Sequence, residues 1–380
     1  MDASFVNWNN SENNFLVNPR WPSEIQEFFK KGTQEIISEH NIEASLFIPT
    51  SGTTAKDLRD TKIVWLKKES FLNAAKSVGA YFGFSSNDRV AVTLPSFHVG
   101  GLSQEARNHV WQQNLFYFSK AWNANLFFEF LNEHQITHTS LVPTQLFDLV
   151  QSNLKAPVHL KCIFIGGGVL GKELRERAKK LGWNLQITYG MTETAALMAA
   201  SEGKGYKPIS HAQMSISNDG FLKIKSNSLF SGYLRKPQNE SSRNLVLDQN
   251  VLSDGWFISE DLAEEQNLST GKEFIILGRK SDYAKIGGEG VYLDRLQAVL
   301  QDSWLESGLN SLGTGVLRFV ESERLGAEIH LFSILPEVEL RQALHIFNQK
   351  VLPFERIRGF HQVQEIPLTP LGKVRWQEIK

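Results

Sequence analysis

The chain of 380 residues has one cysteine, no excess of charge of either sign and no long apolar run. A single thiol, Cys162, cannot close an internal disulfide. It lies in the apolar run Lys161-Cys162-Ile163-Phe164-Ile165, where a thiol serves packing. Nothing calls for an oxidising compartment. Lysine and arginine number 40 against 41 aspartates and glutamates, so no global field draws the chain to nucleic acid or anionic lipid. No apolar stretch approaches the roughly 20 residues of a membrane-spanning helix. Residues 1–14 are rich in asparagine and lack the basic and apolar regions of a secretory leader. The expectation is a cytoplasmic protein with neither membrane nor nucleic-acid partner. The G-x-x-x-x-G-K-[ST] phosphate loop and internal repeats are also absent.

What is present is an ordinary globular composition, 41% apolar and 21% charged, on a chain too long for one core, so two domains are expected. Apolar spacing predicts helices over 22–40, 65–82, 127–133, 145–152 and 173–181. Short apolar runs predict strands over 46–48, 89–94, 139–142, 161–165 and 185–188. This alternation argues for an α/β domain with a largely parallel sheet. From about Gly220 the pattern turns to period two, as in Phe221-Leu222-Lys223-Ile224-Lys225, which predicts a small antiparallel β region. Helices over 294–300 and 338–351 with strands over 315–319 and 328–334 complete a separable α+β unit. The expected division is 1–279 and 280–380.

Five segments could carry chemistry. Thr50-Ser51-Gly52-Thr53-Thr54 follows a strand; its hydroxyls, backbone N–H groups and Cβ-free glycine suit phosphate oxygens, although an exposed Ser/Thr turn explains it equally well. Tyr189-Gly190-Met191-Thr192-Glu193-Thr194 offers an aromatic face for a flat base and a carboxylate for magnesium. Its plainer reading is a strand end followed by a helix capped by Thr192. In 253–261, Asp261 could accept from two ribose hydroxyls; a turn and an acidic loop is the plainer account. Arg279 to Asp282, running on to Gly287-Gly288-Glu289, falls at the expected boundary and suits a hinge or an ordinary polar linker. Lys373, in Pro367-Leu368-Thr369-Pro370-Leu371-Gly372-Lys373, could place a point charge on a developing carboxylate–phosphate, or be a solvated surface lysine.

Each segment is weak alone. In this order, from about Phe47 to the end, they resemble the adenylate-forming superfamily of acyl-CoA synthetases, peptide-synthetase adenylation domains and luciferases. The resemblance implies a large N-terminal α/β domain with a small β region, plus a small mobile C-terminal α+β domain. It implies ATP, Mg2+ and coenzyme A as cofactors and co-substrates, and a small-molecule carboxylic acid as partner. Thr50, Ser51, Gly52, Thr53 and Thr54 match the phosphate loop. Tyr189 and Gly190 match the adenine-stacking segment, Thr192 a phosphate contact, and Glu193 the magnesium ligand. Gly166, Gly167 and Gly168 match the strand end beside adenine and the acyl pocket. Asp261 and Arg279 match the ribose contacts, and Ser281 or Asp282 the hinge. Gly287, Gly288 and Glu289 match the pantetheine tunnel, and Lys373 the lysine of the adenylation step.

Within the superfamily, 94–103, with His98 at the acyl pocket, and 139–146 look like the o-succinylbenzoate–CoA ligases of menaquinone biosynthesis. A ligase for another aryl or fatty acid shares the same motifs, and a nucleotide-binding homologue without catalysis is a third reading. Two departures stand out. The family loop continues with glycine and then Pro-Lys, whereas here Ala55-Lys56-Asp57-Leu58 follows and the next lysine is Lys62. Only about 45 residues precede the loop, so a reduced N-terminal subdomain is expected. Self-association into a homo-oligomer is left open.

Overall fold

A computed structural model describes residues 6–50, 58–201, 205–237, 245–269, 271–309, 314–368 and 374–379. Its centre is a seven-stranded sheet in the order Lys207–Pro208, Ala196–Ser201, Leu185–Met191, Cys162–Ile165, His138–Leu141, Arg89–Val92, Asn114–Tyr117. The last five strands of that order are mutually parallel, and Ala196–Ser201 and Lys207–Pro208 continue it antiparallel. Parallel neighbours need crossovers. The helices Val99–Trp111, Ala124–Glu133, Pro143–Gln151 and Lys172–Lys180 supply them. Local chemistry sets two of their starts: Asn123 Oδ1 accepts from Leu126 N at 3.0 Å, and Pro143 occupies the first helical turn, where its missing N–H costs nothing.

A second sheet, ordered Asn14–Phe15, Ser45–Pro49, Ile63–Lys67, Gly232–Arg235, Val246–Asp248, packs on the other side of the helices Lys68–Phe82 and Val99–Trp111. Leu46, Ile48, Val64 and Leu66 from this sheet share one core with Phe71, Ala74, Leu102 and Ala106 from those helices and with Met198 and Ala199 from the seven-stranded sheet. The period-two region forms a four-stranded antiparallel sheet, Ala212–Ile216, Phe221–Ser226, Phe257–Leu268, Gly271–Arg279. The C-terminal region has its own core, in which Leu296, Leu300 and Trp304 of the helix Leu293–Ser307 meet Ile329 and Leu331 of a three-stranded sheet and Leu340 and Phe347 of the helix Glu337–Lys350. The fold is thus a large α/β part with a small β region and a smaller α+β part. Among the described residues no helix is long and apolar enough to cross a membrane.

The structure corrects two sequence expectations and adds one helix. The helix expected over 65–82 begins at Lys68, because Trp65, Leu66 and Lys67 belong to the strand Ile63–Lys67. That strand is hydrogen-bonded on both sides, to Ser45–Pro49 and to Gly232–Arg235, and this pairing overrides the helical spacing of its apolar residues. No helix follows Thr192; one 3₁₀ turn, Thr192–Thr194, leads straight into Ala196–Ser201, so the helix-cap reading of that motif fails. The helix Val99–Trp111 stands where the sequence reading placed no element; its Gly101 packs against Pro95, where a Cβ would lie 2.3 Å from the Pro95 carbonyl oxygen.

Candidate active site

Parallel α/β sheets bind ligands beyond the carboxyl ends of their strands. The strand Leu185–Met191 ends there, and Tyr189 lies within it rather than after it. The Tyr189 hydroxyl donates to Asp261 Oδ2, and its ring stands 5.6 Å from that of Tyr206. Asp261 is 7% exposed and faces Arg279 directly across the antiparallel pair Phe257–Leu268 and Gly271–Arg279, with Arg279 Nε 3.3 Å from Asp261 Oδ1. Burial, and then the Asp261 charge and hydrogen bond, push the Tyr189 hydroxyl well above its usual pKa, so it stays a proton donor. Burial alone would pull Arg279 down, but Asp261, Glu193, Tyr189 and Asp282 outweigh it and raise its pKa. Three carboxylates and a tyrosine thus act on one guanidinium.

Glu193 projects from a turn that the backbone alone would not favour. Ala195 and Ala196 have φ of 54° and 84°, in the region that favours glycine. Buried Thr194 holds the turn: its hydroxyl accepts from Met191 N at 3.1 Å and has the carbonyl oxygens of Met191 and Ala196 at 3.1 Å and 2.8 Å as acceptors for its single proton. Gly190 is required beside it, because a Cβ there would sit 1.8 Å from the Ala196 carbonyl oxygen. The Glu193 carbonyl accepts from Phe230 N at 2.9 Å, and its Oε1 accepts from the Tyr233 hydroxyl at 2.9 Å. Among the described residues only Oε1 of that carboxylate is engaged, which fits a hard, oxygen-seeking divalent cation on the other oxygen.

Thr50 closes the strand end on the second sheet; its N–H donates to the Lys62 carbonyl at 2.9 Å, and its hydroxyl to the same oxygen at 3.2 Å. Lys62 Nζ then sits 4.9 Å above the ring of Tyr233, which brings this strand end to the Glu193 cluster. Ser51, Gly52, Thr53, Thr54 and Lys373 lie outside the described residues. Gly166, Gly167 and Gly168 follow the strand Cys162–Ile165; Gly167 has φ of 77°, and a Cβ on Gly166 would press on Thr188 Oγ1 at 3.0 Å, next to Tyr189.

Other expected site residues have local duties. His98 occupies the N-cap of the helix Val99–Trp111, its carbonyl accepting from Gly101 N and Leu102 N and its ring 4.7 Å from Phe97. Gly287 and Gly288 form the two-residue turn between Tyr283–Ile286 and Glu289–Tyr292, with φ of 60° and 94°, a geometry that by itself calls for glycine. Thr192 contributes its carbonyl to Ala195 N at 3.2 Å. Sequence reading missed Tyr233 and Tyr206, since nothing in the spacing of Gly232-Tyr233-Leu234-Arg235 distinguishes a site tyrosine from a strand aromatic.

An aromatic pair, a carboxylate–guanidinium pair and a second carboxylate on a strained turn bring together the chemistry suited to a base, a ribose and metal-bound phosphates. The profile of the AMP-binding enzyme family matches residues 11–234, more than half of the chain. The chain belongs to that family. The resemblance read from the order of the motifs is thereby upheld. The 2-succinylbenzoate–CoA ligase of Bacillus licheniformis is 25% identical over 358 residues, covering 90% of this chain and 70% of the relative. The enzyme of the same name from Bacillus subtilis is 25% identical over 380 residues, covering 94% and 73%. Among solved structures, the Bacillus subtilis o-succinylbenzoate CoA synthetase in complex with the acyl-adenylate intermediate OSB-AMP superposes with a TM-score of 0.71 at 21% identity, over 88% of this chain and 68% of the other. The same enzyme in complex with ATP and magnesium ion gives a TM-score of 0.71 at 21% identity, over 88% and 69%. These superpositions establish a shared fold.

Proposed function

We propose that this chain is an ATP-dependent acid–CoA ligase of the cytoplasm, that it works through an acyl-adenylate, and that its acid is o-succinylbenzoate. The observation that carries the ligase reading is the Tyr189–Asp261–Arg279 group beside Glu193 at one strand end. The acid is supported by the names of the relatives and by the segment 94–103, which starts the helix at His98.

A carboxylate is a poor electrophile. Its oxygen attacks the α-phosphorus of ATP, a P–O bond forms, and pyrophosphate leaves with the electron pair of the broken bond. Tyr189 covers the adenine. Asp261 receives the ribose hydroxyls on lone pairs beyond those given to Tyr189 and Arg279, a carboxylate having about four acceptor directions. Thr50 to Thr54 and Thr192 face the phosphates, and Gly167 and Gly168 let the nucleotide and acid approach the sheet. Glu193 holds magnesium, which when bound neutralises phosphate charge. Lys373 offsets the charge that builds between carboxylate and phosphate. The thiol of coenzyme A then attacks the acyl carbon, AMP leaves, and Gly287 and Gly288 line its approach. In this reading residues 1–279 bind nucleotide and acid, and 280–380 turn about Ser281 or Asp282 between the half-reactions.

The test is pyrophosphate release with ATP and magnesium, with and without coenzyme A, on o-succinylbenzoate, benzoate and a fatty acid. Release confined to o-succinylbenzoate supports the whole reading. Release with a control acid keeps the ligase and discards the substrate. Silence with every acid, from protein that binds ATP, favours a nucleotide-binding homologue in which the changed segment 55–62 has cost the reaction.

A further inference from the structure

Glu193 is gripped at both ends by one segment of the second sheet. Phe230 N donates to its backbone carbonyl at 2.9 Å, and three residues on, the Tyr233 hydroxyl donates to its Oε1 at 2.9 Å. Tyr233 is itself fixed. It is 7% exposed, its strand pairs with Ile63–Lys67, and its ring is packed by Phe230 at 4.6 Å with Lys62 Nζ at 4.9 Å and the Arg235 guanidinium at 5.2 Å. A tyrosine hydroxyl, with an ordinary pKa of about 10, keeps its proton at neutral pH and is a donor to a carboxylate. Without this bond a glutamate on a strained turn would sample several rotamers, each offering a metal a different oxygen.

We propose that Tyr233 is a positioning residue for the Glu193 carboxylate: it occupies Oε1 and so presents Oε2 to the divalent cation of the bound nucleotide, in register with the strand end at Thr50. The inference rests on reading Glu193 as the magnesium ligand. Groups that orient a metal ligand typically account for about 10- to 100-fold in metal affinity. Two features favour Tyr233 over an incidental contact. It bonds the carboxylate oxygen itself, and it reaches Glu193 from the opposite sheet, so the bond joins the two sheets where the cation would sit.

The experiment compares the full-length protein with Tyr233→Phe and Glu193→Gln. Mn2+ is titrated against protein and ATP by electron paramagnetic resonance, and metal-free AMP binding is measured by calorimetry. The expected result is that Tyr233→Phe, which keeps the ring, raises the Mn2+ concentration for half-saturation about 10-fold, leaves AMP affinity within about twofold and keeps the wild-type Tm within a few degrees. Glu193→Gln should lose the Mn2+ dependence altogether. If Glu193→Gln titrates like wild type, the metal reading of Glu193 fails and the positioning role falls with it. If Glu193→Gln loses the metal while Tyr233→Phe is unchanged, the metal reading stands and the positioning role is overturned. A Tyr233→Phe variant that loses AMP and Mn2+ affinity in parallel would also overturn it, because Tyr233 would then be holding the fold rather than the carboxylate.

Discussion

The Tyr189 hydroxyl, on the parallel sheet, donates to Asp261, on the antiparallel sheet, and Asp261 in turn faces Arg279 on the neighbouring strand. One carboxylate therefore orders groups from three strands. Tyr189→Phe keeps the ring and removes the bond, and should cost about 1–3 kcal/mol of stability as a hydrogen bond to a charged group. Asp261→Ala removes the proposed ribose contact and should weaken AMP binding about 10- to 100-fold by calorimetric titration, the equivalent of one or two such bonds. Unchanged AMP affinity would remove Asp261 from the nucleotide site.

A second expectation concerns acid. His138, flanked by Asp88, Lys161 and Arg107, is lowered to about 4 by burial; Asp88 opposes the shift, and Lys161 and Arg107 add to it. His211 is lowered to about 4, also by burial. Both are neutral when folded and take up protons near pH 6.5 when unfolded, so the unfolded state binds more protons between those values. Stability should be complete above pH 6.5 and fall as the pH drops towards 4, by at most about 3 kcal/mol per histidine from the shift in pKa. Urea titrations at pH 7, 6 and 5 read this directly. His211→Leu should flatten the dependence; an unchanged slope would show that His211 is hydrated in solution.

Much of this architecture was legible because buried parallel strands read as apolar runs. Arg89–Val92, His138–Leu141 and Cys162–Ile165 were found within a few residues. The errors have physical causes. Trp65 and Leu66 fit a helical spacing, and only hydrogen-bonded neighbours on both sides, distant in sequence, made them a strand. The turn after Met191 is set by a buried threonine hydroxyl and by a glycine pressed against a carbonyl, neither visible as periodicity. Tyr189, Glu193, Asp261 and Arg279 could be named from their order and chemistry. Tyr233 could not, since its hydrogen bond to Glu193 spans 40 residues of chain.

Cys162 gives a third prediction. Burial pushes its thiol up to about 12, against a backbone bond at Gln186, so almost none is thiolate at neutral pH. Reaction with a disulfide reagent at pH 7.5 should be slow in the folded protein and fast once it is unfolded in urea. Cys162→Ser should retain turnover. An inactive but folded variant would mean that the thiol takes part in the chemistry.

The last prediction separates the two half-reactions. Lys373 lies outside the described residues, but the chain on either side of its segment is anchored. Leu368 bridges Val374, Arg375 N donates to the Pro367 carbonyl at 2.8 Å, and Trp376 packs edge-on to Phe332 at 5.6 Å with the Arg318 guanidinium 5.1 Å from its ring. A single lysine serving the developing charge in adenylation should matter only there. Lys373→Ala should lower acid-dependent pyrophosphate release about 100- to 1000-fold, the scale of removing one transition-state contact. Thioester formation from supplied acyl-adenylate and coenzyme A should stay near the wild-type rate, as expected if Gly287 and Gly288 rather than Lys373 serve that step. Loss of both activities in a folded Lys373→Ala protein would show that one arrangement serves both steps, and the alternation of 280–380 between two positions would have to be abandoned.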